Sequence, residues 1–140
     1  MSEPASPGQV VERLLGGIAD GKWLELHELY AGDAVIDYPF GLPAPTKLEG
    51  RAAIQRYFAA VAAYPLVLRP RDIQIHQTGD PEVVVIEWTY DGLVTNTERR
   101  FEVANIQVSR VRDGHIVASR DYHNHFMLAE VTGGLRRLKT

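Results

Sequence analysis

The sequence predicts an α+β fold, a cone-shaped barrel in which three N-terminal helices pack on a curved antiparallel sheet and enclose a cavity. Apolar residues recur at helical spacing up to Val61, and strand-like runs follow from about residue 67. Asp-Gly pairs at 91–92 and 113–114 then follow such runs, and this pair is a strong hairpin signal. The length of 140 residues is that of one domain, with loose ends expected at 1–6 and 133–140.

The first half of the chain is predicted to contain the three helices. Ser6 and Pro7 are residue types favoured at a helix N-cap and at the first helical position. A second helix is expected to end at Gly32, and a third begins after Gly50 and ends near Pro65. Their apolar faces comprise Val10, Val11, Leu14, Leu15 and Ile18, then Trp23, Leu26, His27 and Tyr30, then Ile54, Tyr57, Phe58 and Val61.

Strands are predicted for most of the remaining chain. The run AVIDYPF at 34–40 reads as a short strand that Pro39 stops, with a loop at 41–49 behind it. The longer strand-like runs are 67–77, 82–90, about 97–112, and a last one that starts at His115.

The apolar run at 83–86 does not alternate, and 103–108 nearly lacks alternation too. Strands that are apolar on both sides are usually covered on both sides. Because the helices occupy one face of the sheet, a second copy of the chain is a natural cover for the other. We therefore expect a homodimer formed through the outer face of the sheet.

Charge and composition exclude several classes of partner. The net charge of −3 gives no basic surface for nucleic acid or anionic lipid. No run approaches the roughly 20 apolar residues of a membrane helix, and the start, MSEPASPG, lacks a signal-peptide pattern, so a cytoplasmic protein is expected. The absence of cysteine excludes disulfides, thiolate nucleophiles and cysteine-based zinc sites.

The stretch RDYHNHF, at 120–126, contains the main candidates for acid–base catalysis or metal binding. If the last strand continues through it, Asp121, His123 and His125 project from one side. An Asp inside an apolar cone would have a raised pKa and could remove a proton alpha to a carbonyl and return it elsewhere. The alternative is a structural ion pair with an arginine such as Arg99.

The two histidines also permit a metal-binding interpretation. Strand residues at i and i+2 are about 6 to 7 Å apart, and such pairs chelate zinc or iron. A complete site would need Asp37, Glu87 or His27 to converge on His123 and His125. Since the spacing supplies no further ligand nearby, the sequence predicts neither a metal nor a cofactor.

Three segments carry a family resemblance: LYAGDAVIDYPFG, EGRAAIQRYF and SRVRDGHIVASRDYH. They resemble the nuclear transport factor 2-like superfamily, and within it the SnoaL-like and ketosteroid isomerase-like proteins, over about residues 8 to 130. The resemblance implies a cone of three helices and a curved sheet around an apolar cavity, commonly in a dimer. It also implies an isomerase or cyclase that acts on a hydrophobic carbonyl compound.

When the catalytic positions of the related enzymes are compared with this sequence one by one, one catalytic carboxylate is retained, that of Asp121. The three catalytic positions of ketosteroid isomerases fall on Leu14, Tyr38 and approximately Gln107, where none of the required residues is retained. The catalytic Asp of limonene epoxide hydrolases corresponds to Asp121, although its partner positions are not retained. The acid–base Asp of SnoaL-like polyketide cyclases also matches Asp121.

The sequence thus predicts a cofactor-independent isomerase or cyclase acting on a polyketide-, terpenoid- or steroid-like molecule. Asp121 would shuttle the proton, His123 would tune or relay it, and Tyr38 with an amide would hydrogen-bond the enolate oxygen. Further cavity-lining candidates are Trp23, His27, Tyr30, Phe40, Tyr57, Phe58, Trp88, Tyr90, Asn105, Gln107 and His125. The competing interpretation is a non-catalytic ligand-binding or dimerisation module, in which the aromatic residues serve core packing.

Overall fold

The computed structural model describes residues 3–133 and confirms the α+β fold class. Its elements are α1 (Pro7–Ala19), a 3-10 helix (Trp23–Leu29), β1 (Tyr30–Tyr38), β2 (Thr46–Glu49), α2 (Arg51–Ala62), β3 (Leu66–Gln77), β4 (Val83–Val94), β5 (Arg99–Arg112), β6 (His115–Tyr122) and α3 (His125–Thr132). The loose ends expected from the sequence fall in part on residues 1–2 and 134–140, which lie outside the described residues.

Helix α1 begins where the sequence predicts. The Ser6 side chain accepts a hydrogen bond from the backbone N–H of Gln9, and the Gln9 side chain accepts one from the backbone N–H of Ser6. This reciprocal capping box, with Pro7 in the first turn, satisfies N–H groups that a helix otherwise leaves free. The five apolar residues of the predicted stripe are all buried.

The second predicted helix is shorter than expected. Residues Trp23–Leu29 form a 3-10 helix, and Tyr30 is the first residue of β1, where it pairs with Ile116 of β6. Gly32 consequently lies inside a strand and ends no helix. Pairing with the sheet prevails over the local helical pattern because it buries the Tyr30 ring almost completely, against Phe58.

The six strands form one sheet in the order β2-β1-β6-β5-β4-β3. Neighbouring strands are antiparallel, as predicted, except that β1 and β6 run parallel. Irregular pairing between Arg71 and Gln74 and between Arg110 and Val111 interrupts the ladders. Such bulges bend and twist a sheet, which gives this one a concave inner face that receives the helices.

One predicted hairpin turn is confirmed and the other is wrong. Asp113 and Gly114 both have positive φ and join β5 to β6, as the Asp-Gly signal requires. Asp91 and Gly92 instead lie within β4, where Gly92 pairs with Phe101. A Cβ at Gly92 would collide with the Phe101 ring, so this glycine makes room for a cross-strand aromatic side chain rather than a turn.

Burial along β4 alternates residue by residue. The inner residues Val84, Ile86, Trp88 and Tyr90 are buried with the helices, while Val83 and Val85 on the outer face remain partly exposed. The outer face is therefore the less covered side, and a subunit over it stays a prediction. Among residues 3–133, no helix combines the length and apolar character needed to cross a membrane.

Candidate functional site

A cavity of about 480 Å³ opens between the concave face of the sheet and the helices. Its volume lies within the range of small-molecule sites. Its apolar wall consists of Leu14, Ile18, Trp23, Leu42, Phe58, Val61, Leu66, Leu68, Leu128 and Ala129. Its polar groups belong to Tyr30, Tyr38, Tyr57, Tyr90, Gln107, Asp121, His123, His125 and Thr132. This composition suits a largely apolar ligand that carries a few polar atoms.

Asp121 lies on the inner face of β6 and lines this cavity with only 5% of its surface exposed. The hydroxyl of Ser119 donates a hydrogen bond to its Oδ1 at 2.5 Å. Burial raises the pKa of the Asp121 carboxyl to about 7, while the Ser119 hydrogen bond acts in the opposite direction. A carboxyl that is half ionised near neutral pH can both take up and release a proton, as acid–base catalysis requires.

His123 follows the end of β6 and also lines the cavity. Its Nε2 lies 4.0 Å from Oδ2 of Asp121, beyond hydrogen-bond distance, and has no partner among the described residues. Burial, and then the proximity of His125, lowers the pKa of His123 to about 4. At neutral pH the ring is therefore uncharged, and its Nε2 is a buried polar atom without a protein partner among residues 3–133.

The strand alternation that placed His125 beside Asp121 and His123 is wrong beyond Tyr122. Strand β6 ends there, and Asn124 caps α3 by accepting a hydrogen bond from the backbone N–H of Met127. His125 is the first residue of that helix. It nevertheless lines the cavity, and its ring stacks on that of His123 with a centroid separation of 5.8 Å.

The phenol ring of Tyr38, the last residue of β1, lies beside the rings of His123 and His125. Its ring centroid lies 6.1 Å from that of His123 and 5.7 Å from that of His125, both in edge-on arrangements. Burial raises the pKa of the Tyr38 hydroxyl well above its ordinary value. The hydroxyl thus stays protonated at neutral pH and can donate a hydrogen bond to a ligand oxygen.

The cavity therefore brings together all three predicted catalytic side chains. Of the further predicted lining residues, the cavity wall includes Trp23, Tyr30, Tyr57, Phe58, Tyr90, Gln107 and His125. The four others, which do not line it, are His27, Phe40, Trp88 and Asn105.

These four placements need correction for different reasons. Trp88 and Asn105 are buried cross-strand partners on the inner face; the Trp88 ring packs edge-on against Tyr90 and His123, and the Asn105 amide donates to the Val103 carbonyl. Phe40 follows β1, is 63% exposed and packs against Tyr122. His27 belongs to the 3-10 helix, whose tighter turn directs side chains differently from the expected α-helix.

Sequence reasoning missed the part of the cavity wall that α3 supplies. Leu128, Ala129 and Thr132 come from this helix, which lies in a segment expected to run out as a strand and tail. A signal was present, since Asn124 is a favoured N-cap residue and precedes the mainly apolar run HFMLAEV.

The additional metal ligands that the sequence left open do not converge on the histidines. Asp37 faces away from the cavity and lies 3.9 Å from Lys47, and Glu87 contacts His76 at 2.7 Å. Within residues 3–133, no cluster of three or more suitable side chains could hold a metal ion.

Comparisons with known proteins found a matching family model, a relative in sequence and proteins of similar fold. A family model described as a SnoaL-like domain matches residues 11–119. An uncharacterized PhzA/B-like protein of Pseudomonas aeruginosa is 32% identical over 111 residues, which cover 77% of each chain. The crystal structure of a putative isomerase from Bacillus subtilis has a TM-score of 0.83 at 26% identity, covering 91% of this chain and 92% of that one. A putative polyketide cyclase of Xanthomonas campestris has a TM-score of 0.74 at 20% identity, covering 91% and 94%.

Proposed function

The chain belongs to the SnoaL-like domain family, and from this we propose that it is a cofactor-independent isomerase or cyclase acting on a hydrophobic carbonyl compound. The observation that carries the proposal is the Asp121 carboxyl, buried at an apolar cavity with a pKa of about 7. The names of two similar structures, a putative isomerase and a putative polyketide cyclase, are consistent with this type of chemistry.

The proposed reaction begins with proton removal by ionised Asp121. The carboxylate takes a proton from the carbon alpha to the ligand carbonyl, the C–H electron pair moves into the C–C bond, and the carbonyl becomes an enolate. The protonated hydroxyl of Tyr38 donates a hydrogen bond to the enolate oxygen, and neutral His123 orients the polar end of the ligand. An isomerase then returns the proton from Asp121 to another carbon. In a cyclase the enolate carbon attacks a second carbonyl of the same molecule, and the resulting alkoxide takes the proton back from Asp121.

Hydrogen–deuterium exchange tests this proposal without knowledge of the natural substrate. A panel of hydrophobic ketones such as 2-tetralone is incubated with the protein in D₂O, and deuterium uptake at the alpha carbon is followed by mass spectrometry. We expect Asp121→Asn to slow exchange by at least about 100-fold, the usual scale for a lost acid–base group.

Asp37→Asn is the matched control, because Asp37 lies on β1 away from the cavity and is partly exposed. Equal exchange by the wild type and Asp121→Asn would contradict the catalytic role. Ketone binding, detected through quenching of Trp23 fluorescence, without enzyme-dependent exchange would favour a non-catalytic ligand carrier instead.

We also propose that two copies associate through the outer face of the sheet. Ile106 is 42% exposed on β5, opposite Glu87 of β4 and Tyr122 of β6, and Phe40 packs on Tyr122 with 63% of its surface exposed. Apolar side chains exposed on a sheet face are typical of contacts between symmetric subunits.

Ile106→Glu is expected to convert the dimer into a monomer, because the interface would bury charges without partners. Light scattering coupled to size-exclusion chromatography measures the mass. Leu24→Glu is the control, since Leu24 is 65% exposed on the 3-10 helix. A wild-type protein that remains monomeric at all concentrations would contradict the proposal.

A further inference from the structure

Asp121 and three further polar side chains form a hydrogen-bonded row on the inner face of β5 and β6. The Gln107 Nε2 donates to the Ser109 Oγ at 2.8 Å, the Oγ atoms of Ser109 and Ser119 lie 3.1 Å apart, and the Ser119 Oγ donates to the Asp121 Oδ1. The strand register creates this row by pairing Gln107 with Asp121 and Ser109 with Ser119. Alternate residues of both strands thus meet on one face.

The two serines are buried in otherwise apolar surroundings. Ser109 is 0% and Ser119 is 2% exposed, and their cross-strand neighbours are Val84 on β4 and Ile36 on β1. A buried hydroxyl without a partner would be costly, and the row supplies a partner for each one. Neither serine lines the cavity, so any effect on a bound molecule must pass through Asp121 or Gln107.

The number of hydrogens available determines which group donates and which accepts at each hydrogen bond of the row. The Gln107 amide nitrogen can only donate, so the Ser109 oxygen accepts from it. Each serine has one hydroxyl hydrogen. If Ser109 gives its hydrogen to Ser119, and Ser119 gives its own to Asp121 Oδ1, every hydroxyl hydrogen of the row has an acceptor. In the reverse direction the Ser109 hydrogen would have no acceptor within the row.

This direction makes the two carboxyl oxygens of Asp121 unequal. Oδ1 is occupied as an acceptor from Ser119, whereas Oδ2 lies 4.0 Å from the unpaired Nε2 of His123. We propose that Ser109 and Ser119 are positioning residues, a two-hydroxyl relay that fixes the Asp121 carboxyl and leaves Oδ2 as the oxygen that carries the proton at the cavity. The inference rests on the proposed function, in which Asp121 moves that proton.

The relay is tested by following the Asp121 carboxyl carbon in ¹³C NMR while the pH is varied, in protein labelled with ¹³C-aspartate. Asp121→Asn assigns the signal. Ser119→Ala is expected to raise the pKa of Asp121 by about one unit, because a hydrogen bond to the ionised carboxylate is lost. Ser109→Ala is expected to raise it by a smaller amount, although Ser109 does not contact Asp121, because linked hydrogen bonds polarise one another.

Val84→Ala is the matched control, since Val84 pairs with Ser109 across the sheet and has no polar group. It should reduce packing and leave the pKa of Asp121 unchanged. An unchanged Asp121 titration in Ser109→Ala would overturn the relay, because Ser109 would then only fill space. Should Ser119→Ala fail to fold, Ser119→Thr keeps the hydroxyl and is expected to retain the wild-type titration.

The titration needs no substrate, so its outcome is separate from that of ketone exchange. Loss of the Ser109 effect with exchange intact would remove the relay and leave the proposed function standing. Undiminished exchange in Asp121→Asn would remove the proposed function, whatever the titration shows.

Discussion

Asp121→Asn is expected to stabilise the protein at pH 8 by on the order of 4 kcal/mol and to change its stability little at pH 4. Burial raises the folded pKa of this carboxyl from about 3.8 to about 7. The contribution of such a group to the unfolding free energy is fully present below its unfolded pKa. It is lost as the pH rises from about 4 through about 7. The stated size follows because each pKa unit corresponds to about 1.4 kcal/mol, and the pKa rises by about three. Asn cannot ionise, and its Oδ1 can still accept from Ser119.

Urea denaturation at pH 4, 6 and 8 measures this effect as the difference in unfolding free energy between Asp121→Asn and the wild type, which should grow from pH 4 to pH 8. The difference is the relevant quantity because His123, whose folded pKa is lowered to about 4, contributes to the pH dependence of both proteins in the opposite direction. Asp37→Asn is again the control, since its carboxylate is partly exposed and does not line the cavity. A parallel pH dependence in wild type and Asp121→Asn would mean that Asp121 is not the buried titrating group. A gain in stability with loss of exchange would be the trade-off often found at catalytic sites.

Ketone exchange by the wild type is expected to rise about tenfold per pH unit below pH 7 and to level off above it, so that the rates at pH 5 and pH 8 differ by about 100-fold. The reason is that only ionised Asp121 removes a proton, and its pKa is about 7. His123, with a pKa of about 4, adds no second limb in this range. Tyr38 adds none because burial raises the pKa of its hydroxyl.

The second-order rate constant for exchange between pH 4.5 and 9 provides the measurement. His123→Gln is the informative variant, because it removes an imidazole that titrates far from pH 7. In this variant the exchange rate should still rise with pH up to about pH 7 and then level off, and the rate should be lower if His123 orients the ligand. Disappearance of this rise would identify His123, rather than Asp121, as the group that titrates.

Several features followed from the sequence because they depend on local patterns. The position of Asp121 on the inner face came from strand alternation, which fixes the face of every second residue once the strand is recognised. The start of α1 and the turn at 113–114 came from cap and turn chemistry within a few residues. Apolar residues at helical spacing up to Val61 likewise predicted α1 and α2.

Other features depend on tertiary contacts between segments that are distant in the sequence. The parallel pairing of β1 with β6 drew Tyr30 into the sheet, and the Phe101 ring across Gly92 turned a predicted hairpin into continuous strand. His125 reached the cavity through the packing of α3, although the strand that was expected to carry it had ended. The sequence determined which residues could do acid–base chemistry, because that depends on side-chain type and face. The register between β5 and β6 decided what lies behind Asp121, because it depends on contacts that no short stretch of sequence contains.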